Sequence, residues 1–268
     1  MVSKEKKKLK IGLALGAGGA RGLAHIGVLK VLERNNIPID FISGTSIGSI
    51  IGALYAAIRN ANELEKIITT ADWRLFLSLL DPSLTQGFLR GEKIKKFLTK
   101  FLGEKSTFKD LKIPLTAVAT DLLTGKSVIM NKGDLIEAIM ASSAVPLIFQ
   151  PIKKDGKSLV DGSLSMPVPI QPLKRSGAEI VIAVNLDDDY FSHKKEKLSL
   201  GETAFQTIKL LRYQLAERDS RSADVVITPT VGQINGYDFL VGNKIITVGE
   251  KATQKILPKI KKLLNLKK

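Results

Sequence analysis

The sequence contains no cysteine and only two histidines, and these shortages exclude several kinds of site. Without thiols there are no disulfides, no cysteine-bound zinc and no cysteine nucleophile. His25 and His193 are too few for a histidine-rich metal centre, and they are the two candidates for a Ser-His-Asp arrangement. We therefore expect neither a metal ion nor another cofactor.

A long apolar segment is also lacking. The longest run, IGSIIGALYAAI at 47–58, is too short to span a bilayer and predicts a buried helix. The basic start, MVSKEKKKLK, is not followed by an apolar run with a small-residue cleavage site, so we expect no signal peptide. Together these features predict a cytoplasmic protein, and they are compatible with peripheral contact at the inner membrane face.

The net charge of +15 is concentrated at the two ends of the chain. Residues 1–10 carry five lysines and one glutamate, and residues 244–268 carry eight lysines and one glutamate. Such ends suit an anionic membrane surface, and they are equally explained as solvated segments that aid solubility. Zinc-finger spacing and interleaved aromatic and basic residues are missing, so we expect no nucleic-acid partner.

A length of 268 residues fits one large domain with a substantial core. We expect a basic tail at 1–8 and a single domain at 9–268. A Lys-rich helix is predicted from about Lys244, with an interruption at Pro258. The oligomeric state does not follow from these patterns.

Apolar strands alternate with helical segments along most of the chain. The strongest strand candidates are LKIGLALG (9–16), IPLTAVATDL (113–122) and EIVIAVNL (179–186). Near-continuous apolar strands separated by helices predict a three-layer α/β/α sandwich with a mostly parallel central sheet. The acidic and then Lys-rich segment 187–199 predicts an exposed loop.

The segment GAGGARG at 16–22 follows a predicted strand and opens a predicted helix. Backbone amides converge in such a loop and make a cradle for an anion. One candidate anion is a dinucleotide pyrophosphate, with Asp40 as the acidic partner, although Arg21 or Ala17 then replaces one glycine of G-x-G-x-x-G. The other candidate is the oxyanion that forms during acyl transfer.

A possible nucleophile follows the next strand, in the sequence GTSIG at 44–48. This matches G-x-S-x-G, in which a serine is exposed on a sharp strand-to-helix turn. The same residues also suit an ordinary helix start with a capping serine. Because neighbouring parallel strands end at one edge of a sheet, we expect Ser46 to lie beside residues 16–22.

Asp161, in LVDGS, is the best candidate for the base that activates Ser46. A Ser-Asp dyad works when the carboxylate is held in a site that excludes water. The alternative is a plain Asp-Gly turn. The order Ser46, Asp161, His193 matches an α/β-hydrolase, but His193 falls in the predicted exposed loop. His25 is expected to pack against or orient the Gly-rich loop.

Four segments in this order, GAGGARGLAHIGVL, GTSIG, ASSAVPLIFQP and LVDGS, closely resemble the bacterial patatin-like phospholipases. The resemblance implies a patatin-like fold with Ser46 as nucleophile and Asp161 as proton acceptor. It also places Gly18, Gly19 and Arg21 in the oxyanion segment. It further implies that Gly44 and Gly48 form the elbow around the nucleophile.

Two positions depart from the family pattern. Ala17 stands where the first glycine of the oxyanion motif is usual, and Ser163 stands where glycine or alanine is usual after Asp161-Gly162. Both replacements are small, so the chemistry is expected to survive.

The resulting hypothesis is a serine lipid acyl hydrolase, of phospholipase A or carboxylester hydrolase type, acting on phospholipids or other acyl-ester lipids. The alternative is a nucleotide-binding or regulatory protein that uses the Gly-rich loop without hydrolysis. Apolar residues between 63 and 102 are candidates for an acyl pocket, a lid or plain core, notably Trp73, Leu75, Phe76, Leu77, Leu79 and Leu80.

Overall fold

The computed structural model describes residues 9–69, 91–187, 198–231 and 242–264. Three sequence features therefore lie outside the described residues: the basic tail at 1–8, the apolar group from Trp73 to Leu80, and His193. The single domain predicted for 9–268 remains a prediction.

Within the described ranges, eight strands form one sheet. In chain order they are β1 (Ile11–Leu15), β2 (Phe41–Thr45), β3 (Leu115–Asp121), β4 (Ser127–Met130), β5 (Ile152–Lys154), β6 (Lys157–Asp161), β7 (Ile180–Val184) and β8 (Val225–Ile227). The order across the sheet is β5-β6-β3-β2-β1-β7-β8, and β4 also pairs with β3. Strands β3, β2, β1, β7 and β8 run parallel, whereas β4, β5 and β6 add antiparallel pairings.

Helices cover both faces of this sheet. They are α1 (Ala24–Arg34), α2 (Ile47–Ile58), α3 (Ala61–Ile68), α4 (Glu92–Leu102), α5 (Leu135–Ser142), α6 (Ile170–Arg175), α7 (Leu200–Ser220) and α8 (Gly242–Leu263). Alternate residues of β1 enter two separate cores. Leu13 and Leu15 pack with α1, α2 and α8, whereas Ala14 packs with residues of α6 and α7. The predicted α/β architecture with a central sheet and flanking helices is confirmed.

Strand β3 brings two distant parts of the chain together. Thr45, at the end of β2, pairs with Val118 of β3 in parallel register. The next residue of β3, Ala119, pairs with Asp161 at the end of antiparallel β6. The ends of β2 and β6 therefore meet at consecutive positions of one strand.

The predicted Lys-rich helix is present as α8, but the predicted interruption at Pro258 is wrong, because the helix continues through it. A proline inside a helix removes one backbone hydrogen bond, and packing on both sides compensates here. On the C-terminal side, Ile260 is buried in the core and Lys261 bonds to Asn35 Oδ1 at 2.8 Å.

Helix α8 crosses α1 at very short range. A Cβ atom on Gly27 would collide with the carbonyl oxygen of Ile246, and one on Gly249 would collide with that of Ala24. Beside this crossing, Glu250 pairs with Lys30 at 2.9 Å and with Arg34. One face of α8 is thus core. Among the helices that the structure describes, none has the length and apolar character needed to cross a membrane.

Candidate active site

Ser46 occupies a sharp turn between β2 and α2. Its backbone has φ 56° and ψ −126°, a left-handed φ that is costly for a residue with a side chain. Hydrogen bonds hold the turn: the Ser46 amide donates to Ser142 Oγ at 3.0 Å, and Ser142 Oγ donates to Val118 O at 2.6 Å. On the other side, the Ser46 carbonyl accepts from the Ser49 amide at 2.8 Å. Ser46 is therefore fixed in a strained conformation.

The glycines that flank Ser46 are required by close backbone approach. A Cβ atom on Gly48 would collide with the carbonyl oxygen of Leu15, at the end of the neighbouring strand. A Cβ atom on Gly44 would lie 2.5 Å from the carbonyl oxygen of Gly48. These contacts press the start of α2 against the end of β1, next to the Gly-rich loop.

Asp161 ends β6 and is buried, with 1% of its surface exposed. Its Oδ1 accepts a hydrogen bond from the Ser163 amide at 2.8 Å, as in an ordinary Asp-Gly turn. Its Oδ2 is also buried but has no hydrogen-bond partner among the described residues. Burial raises the pKa of this carboxyl, while the nearby hydroxyl of Ser46, the hydrogen bonds from Ser163 and the charge of Arg212 partly oppose the rise.

The Gly-rich loop follows β1 and continues as a 3₁₀ turn over Gly19–Leu23. Gly19 adopts φ +57°. The carbonyl oxygen of Gly18 accepts a bond from Arg21 Nε at 3.3 Å. Since C=O and N–H point in opposite directions across a trans peptide, this bond turns the Gly19 amide away from Arg21. The amides of Gly18 and Gly19 donate to no acceptor in the described ranges.

Arg21 belongs to a buried cluster with Asp187 and Arg212. Arg21 donates through Nη1 to Leu186 O and through Nη2 to Asp187 Oδ1, both at 2.9 Å. Arg212, from α7, donates through Nε to Asp187 Oδ2 at 2.9 Å and through Nη2 to Oδ1 at 2.6 Å. Burial alone would raise the pKa of Asp187, but the charges of Arg212 and Arg21 hold it below its usual value.

The Arg21–Asp187–Arg212 cluster corrects one expectation and adds residues that the sequence did not reveal. Asp187 was expected to start an exposed loop, yet it is 1% exposed. The prediction was wrong for Asp187, because acidic composition does not show that two arginines converge on one carboxylate; residues 188–197 of the predicted loop lie outside the described residues. Arg212 lies in a helix without any motif, so no local signal marked it.

His25 supports the Gly-rich loop from within the core. Its Nε2 donates to the carbonyl oxygen of Gly16 at 2.8 Å, which agrees with the expected role in orienting the loop. Burial lowers its pKa to about 4, and the bond to Gly16 only partly opposes this change. The ring is therefore neutral at physiological pH.

Asp40 is not placed to serve a dinucleotide. It precedes β2, and its Oδ2 accepts a bond from the Ile11 amide at 2.7 Å, at the start of β1. The Gly-rich loop lies at the opposite end of β1. Ligands of open α/β sheets bind beyond the carboxyl ends of the strands. Asp40 lies at the other edge of the sheet, beside the start of β1.

Comparison with known proteins identifies the family. A family model described as patatin-like phospholipase matches residues 13–174, which include the Gly-rich loop, the Ser46 elbow and Asp161. An NTE family protein of Mycobacterium tuberculosis is 42% identical over 179 residues, covering 66% of this chain and 49% of that protein. Lysophospholipase NTE1 of Pyricularia oryzae is 34% identical over 190 residues, covering 67% of this chain and 12% of that protein.

The chain thus spans about half, or less, of the length of these curated relatives. The crystal structure of VipD from Legionella pneumophila superimposes with a TM-score of 0.54 at 12% identity, covering 95% of this chain and 67% of VipD, and shows the same fold. The family model covers more than half of the chain, and the resemblance seen in the sequence is confirmed. This chain belongs to the patatin-like phospholipase family.

Proposed function

We propose that this chain is a serine lipid acyl hydrolase, of phospholipase A or carboxylester hydrolase type, with Ser46 and Asp161 as its dyad. The observation that carries the proposal is a serine held at positive φ beside a buried carboxylate, one oxygen of which has no hydrogen-bond partner in the part of the chain that the structure describes. The family model supports a lipid ester as the substrate class. The name lysophospholipase, borne by one relative, points the same way.

In the first step, the Ser46 hydroxyl turns to donate a hydrogen bond to Asp161 Oδ2, the carboxyl oxygen that has no partner among the described residues. As Ser46 Oγ attacks the ester carbonyl carbon, Asp161 takes the proton. Burial favours this transfer, because it raises the pKa of the carboxyl and so strengthens it as a base. Below that raised pKa Asp161 is already protonated, so the rate falls on the acid side.

The attack places negative charge on the former carbonyl oxygen. The amides of Gly18 and Gly19 donate to this oxyanion, and removal of one such donor typically costs about 3–4 kcal/mol. Arg21 contributes through its bond to the Gly18 carbonyl, which sets the direction of the Gly19 amide. Its guanidinium is committed to Leu186 and Asp187, so the side chain shapes the loop and does not contact the substrate.

Collapse of the intermediate expels the alcohol, which receives the proton from Asp161 and leaves Ser46 acylated. A water molecule then gives its proton to Asp161 and attacks the acyl carbonyl. The second collapse releases the fatty acid and returns the proton to Ser46. Gly44 and Gly48 serve the reaction indirectly, because they permit the turn that presents Ser46. Since acyl-ester lipids reside in membranes, the proposal includes peripheral contact with an anionic membrane surface.

The test is hydrolysis of chromogenic acyl esters of graded chain length by wild type, Ser46→Ala and Asp161→Asn. Both variants are expected to lose at least about a thousandfold in kcat, because the two residues act as one unit. Ser143→Ala is the matched control, since Ser143 Oγ is buried near the site without a hydrogen-bond partner in the described part of the chain.

A fluorophosphonate probe gives an independent reading of the nucleophile. Mass spectrometry is expected to find the adduct on Ser46 of the wild type and none on Ser46→Ala. If Ser46→Ala hydrolyses esters as fast as wild type, the proposed dyad is wrong.

A further inference from the structure

We propose that three exposed leucines at the carboxyl edge of the sheet dock this protein on an anionic lipid bilayer. These residues, Leu122, Leu123 and Leu147, are named here the leucine rim, and Lys126 and Lys157 accompany them. The inference deepens the proposed function and rests on it, because it concerns how the Ser46 site reaches a lipid surface.

Leu122 and Leu123 stand above the nucleophile. They follow β3 directly, and Thr45 pairs with Val118 of that strand. Leu122 follows Val118, the partner of Thr45, by four residues. At the usual rise of a strand, Leu122 therefore lies about 13 Å beyond Thr45 in the direction of the strands. Ser46 follows Thr45, so both lie at the same edge of the sheet.

The turn that carries these two leucines is built to hold them outwards. Asp121 Oδ2 accepts from Thr124 Oγ1 at 2.7 Å, and the Asp121 carbonyl accepts from the Gly125 amide at 2.8 Å. In this bonded turn, Leu122 is 50% exposed and Leu123 is 77% exposed. Two adjacent leucines on a fixed turn are apolar surface that water solvates poorly, which suits insertion into a lipid interface.

Leu147 extends the rim on the other side of β6. It is 54% exposed and has φ 71°, which is unusual and strained for a leucine. It follows Ala144 by three residues, and the Ala144 carbonyl accepts from the Asp161 amide at 2.9 Å. The chain can span only about 11 Å over three residues, so Leu147 lies near the proposed base. On the β3 side of β6, the Leu122 amide donates to the carbonyl oxygen of Ser158 at 2.8 Å, so β6 lies between the two parts of the leucine rim.

The charge around the rim favours an anionic partner. Lys126 closes the turn of Leu122 and Leu123, and Lys157 begins β6; both side chains are exposed. Lys153 adds a third exposed cation to this hairpin, against one exposed acid, Asp155. Apolar tips bordered by lysines match a bilayer that has anionic head groups above an apolar interior.

The Lys-rich end of α8 is less suited to this task. Lys261 bonds to Asn35, just beyond the C-terminal end of α1, whereas the Gly-rich loop leads into the N-terminal end of α1. A helix of eleven residues separates these ends by about 16 Å. A bilayer against the leucine rim therefore leaves the Lys-rich end of α8 on the far side.

The experiment compares wild type with the Leu122→Ser/Leu123→Ser variant and with Leu147→Asn, because asparagine accepts a left-handed backbone. Cosedimentation with phosphatidylglycerol–phosphatidylcholine vesicles is expected to weaken at least tenfold for the double variant and severalfold for Leu147→Asn. Hydrolysis of a water-soluble short-chain ester is expected to stay within twofold of wild type. The matched control is Leu263→Ser, since Leu263 is an exposed leucine near the far end of α8.

Charge removal gives a second reading. Lys126→Gln/Lys157→Gln is expected to bind the same vesicles more weakly and with a smaller dependence on salt. Vesicle binding that stays unchanged in the leucine variants overturns the inference. The inference is also overturned if the leucine variants differ from wild type in the molar mass measured by sedimentation while their vesicle binding is unchanged. That result would make the rim a contact between two copies of the chain.

The two proposals fail differently. If wild type neither hydrolyses soluble esters nor reacts with the fluorophosphonate probe, the proposed function fails, while loss of vesicle binding in the leucine variants still supports the docking surface. If wild type is active on soluble esters and the leucine variants bind vesicles normally, only the docking surface fails.

Discussion

At the scale of single residues, the site depends on polar groups held in unusual states by burial. Asp161 has a raised pKa, and His25 has a lowered one. Both shifts arise chiefly because low-dielectric surroundings disfavour the charged form. The two groups affect stability in opposite directions as the pH falls, because burial disfavours the charged form of one acid and of one base.

His25 makes a measurable prediction about pH and stability. Its pKa is about 4 when folded against 6.5 normally, so its stabilising contribution is complete above pH 6.5 and is lost as the pH falls towards 4. A shift of this size corresponds to about 3 kcal/mol. Between pH 7.5 and pH 4.5, urea unfolding is expected to show a smaller loss in the free energy of unfolding for His25→Gln than for wild type. Glutamine can still donate to the Gly16 carbonyl, but it does not titrate.

The result would contradict this account if His25→Gln lost as much stability as wild type between the two pH values. A lower free energy of unfolding of the variant at pH 7.5 does not affect the test, because the comparison uses the change in this free energy between the two pH values for each protein.

Asp187 makes a second prediction at the residue scale. In Asp187→Asn the buried Arg21 and the partly buried Arg212 lose their shared countercharge, and breaking a buried pair typically costs about 3–5 kcal/mol. Arg21 is then no longer held by Asp187 and cannot fix the Gly18 carbonyl. We therefore expect kcat for a soluble ester to fall more than tenfold with little change in KM. Steady-state kinetics and urea unfolding measure the two effects.

Arg218→Lys is the control for this experiment, because Arg218 lies on the same helix as Arg212 and its side chain is 65% exposed. Lysine keeps the positive charge beside Asp219, which is only 13% exposed, so activity and stability are expected to change little. An unchanged kcat in Asp187→Asn would show that the cluster does not position the loop.

At the scale of elements, the crossing of α1 and α8 leaves no room for a side chain at two glycines. Gly27 and Gly249 face backbone carbonyls so closely that no side chain fits between the helices. This explains how a strongly charged helix with one lysine-rich face becomes part of the core. Ile245, Ile246 and Ile260 supply the apolar contacts.

Gly249→Ala tests this crossing. The added methyl group would collide with the Ala24 carbonyl, and the helices must separate, so we expect a loss of about 1–3 kcal/mol or more. Gly201→Ala is the matched control, because Gly201 also lies in a helix but has open space around its Cβ position. That variant is expected to gain up to about 1 kcal/mol. Thermal unfolding of both variants measures the difference, and equal effects would refute the steric explanation.

At the scale of the whole molecule, the sequence predicted the architecture and the position of the candidate site. Apolar strands and helical periodicity indicated the sheet and its layers, and the glycines around Ser46 and Asp161 marked turns at strand ends. Strand β5 was missed because Ile152–Lys154 is short and mostly polar. The left-handed backbone of Leu147 and the pairing of Asp187 with Arg212 depend on tertiary packing, which no local pattern encodes.

The two partners of β3 also have a consequence for synthesis. Ser46 and Asp161 are far apart in the chain, and their approach requires β2 and β6 to pair with consecutive residues of β3. A ribosome-bound chain presents the serine long before the aspartate has emerged. Interrupted translation products that end before β6 would therefore carry the turn of Ser46 without the proposed base, and the proposed site would form only after β6 has been synthesised.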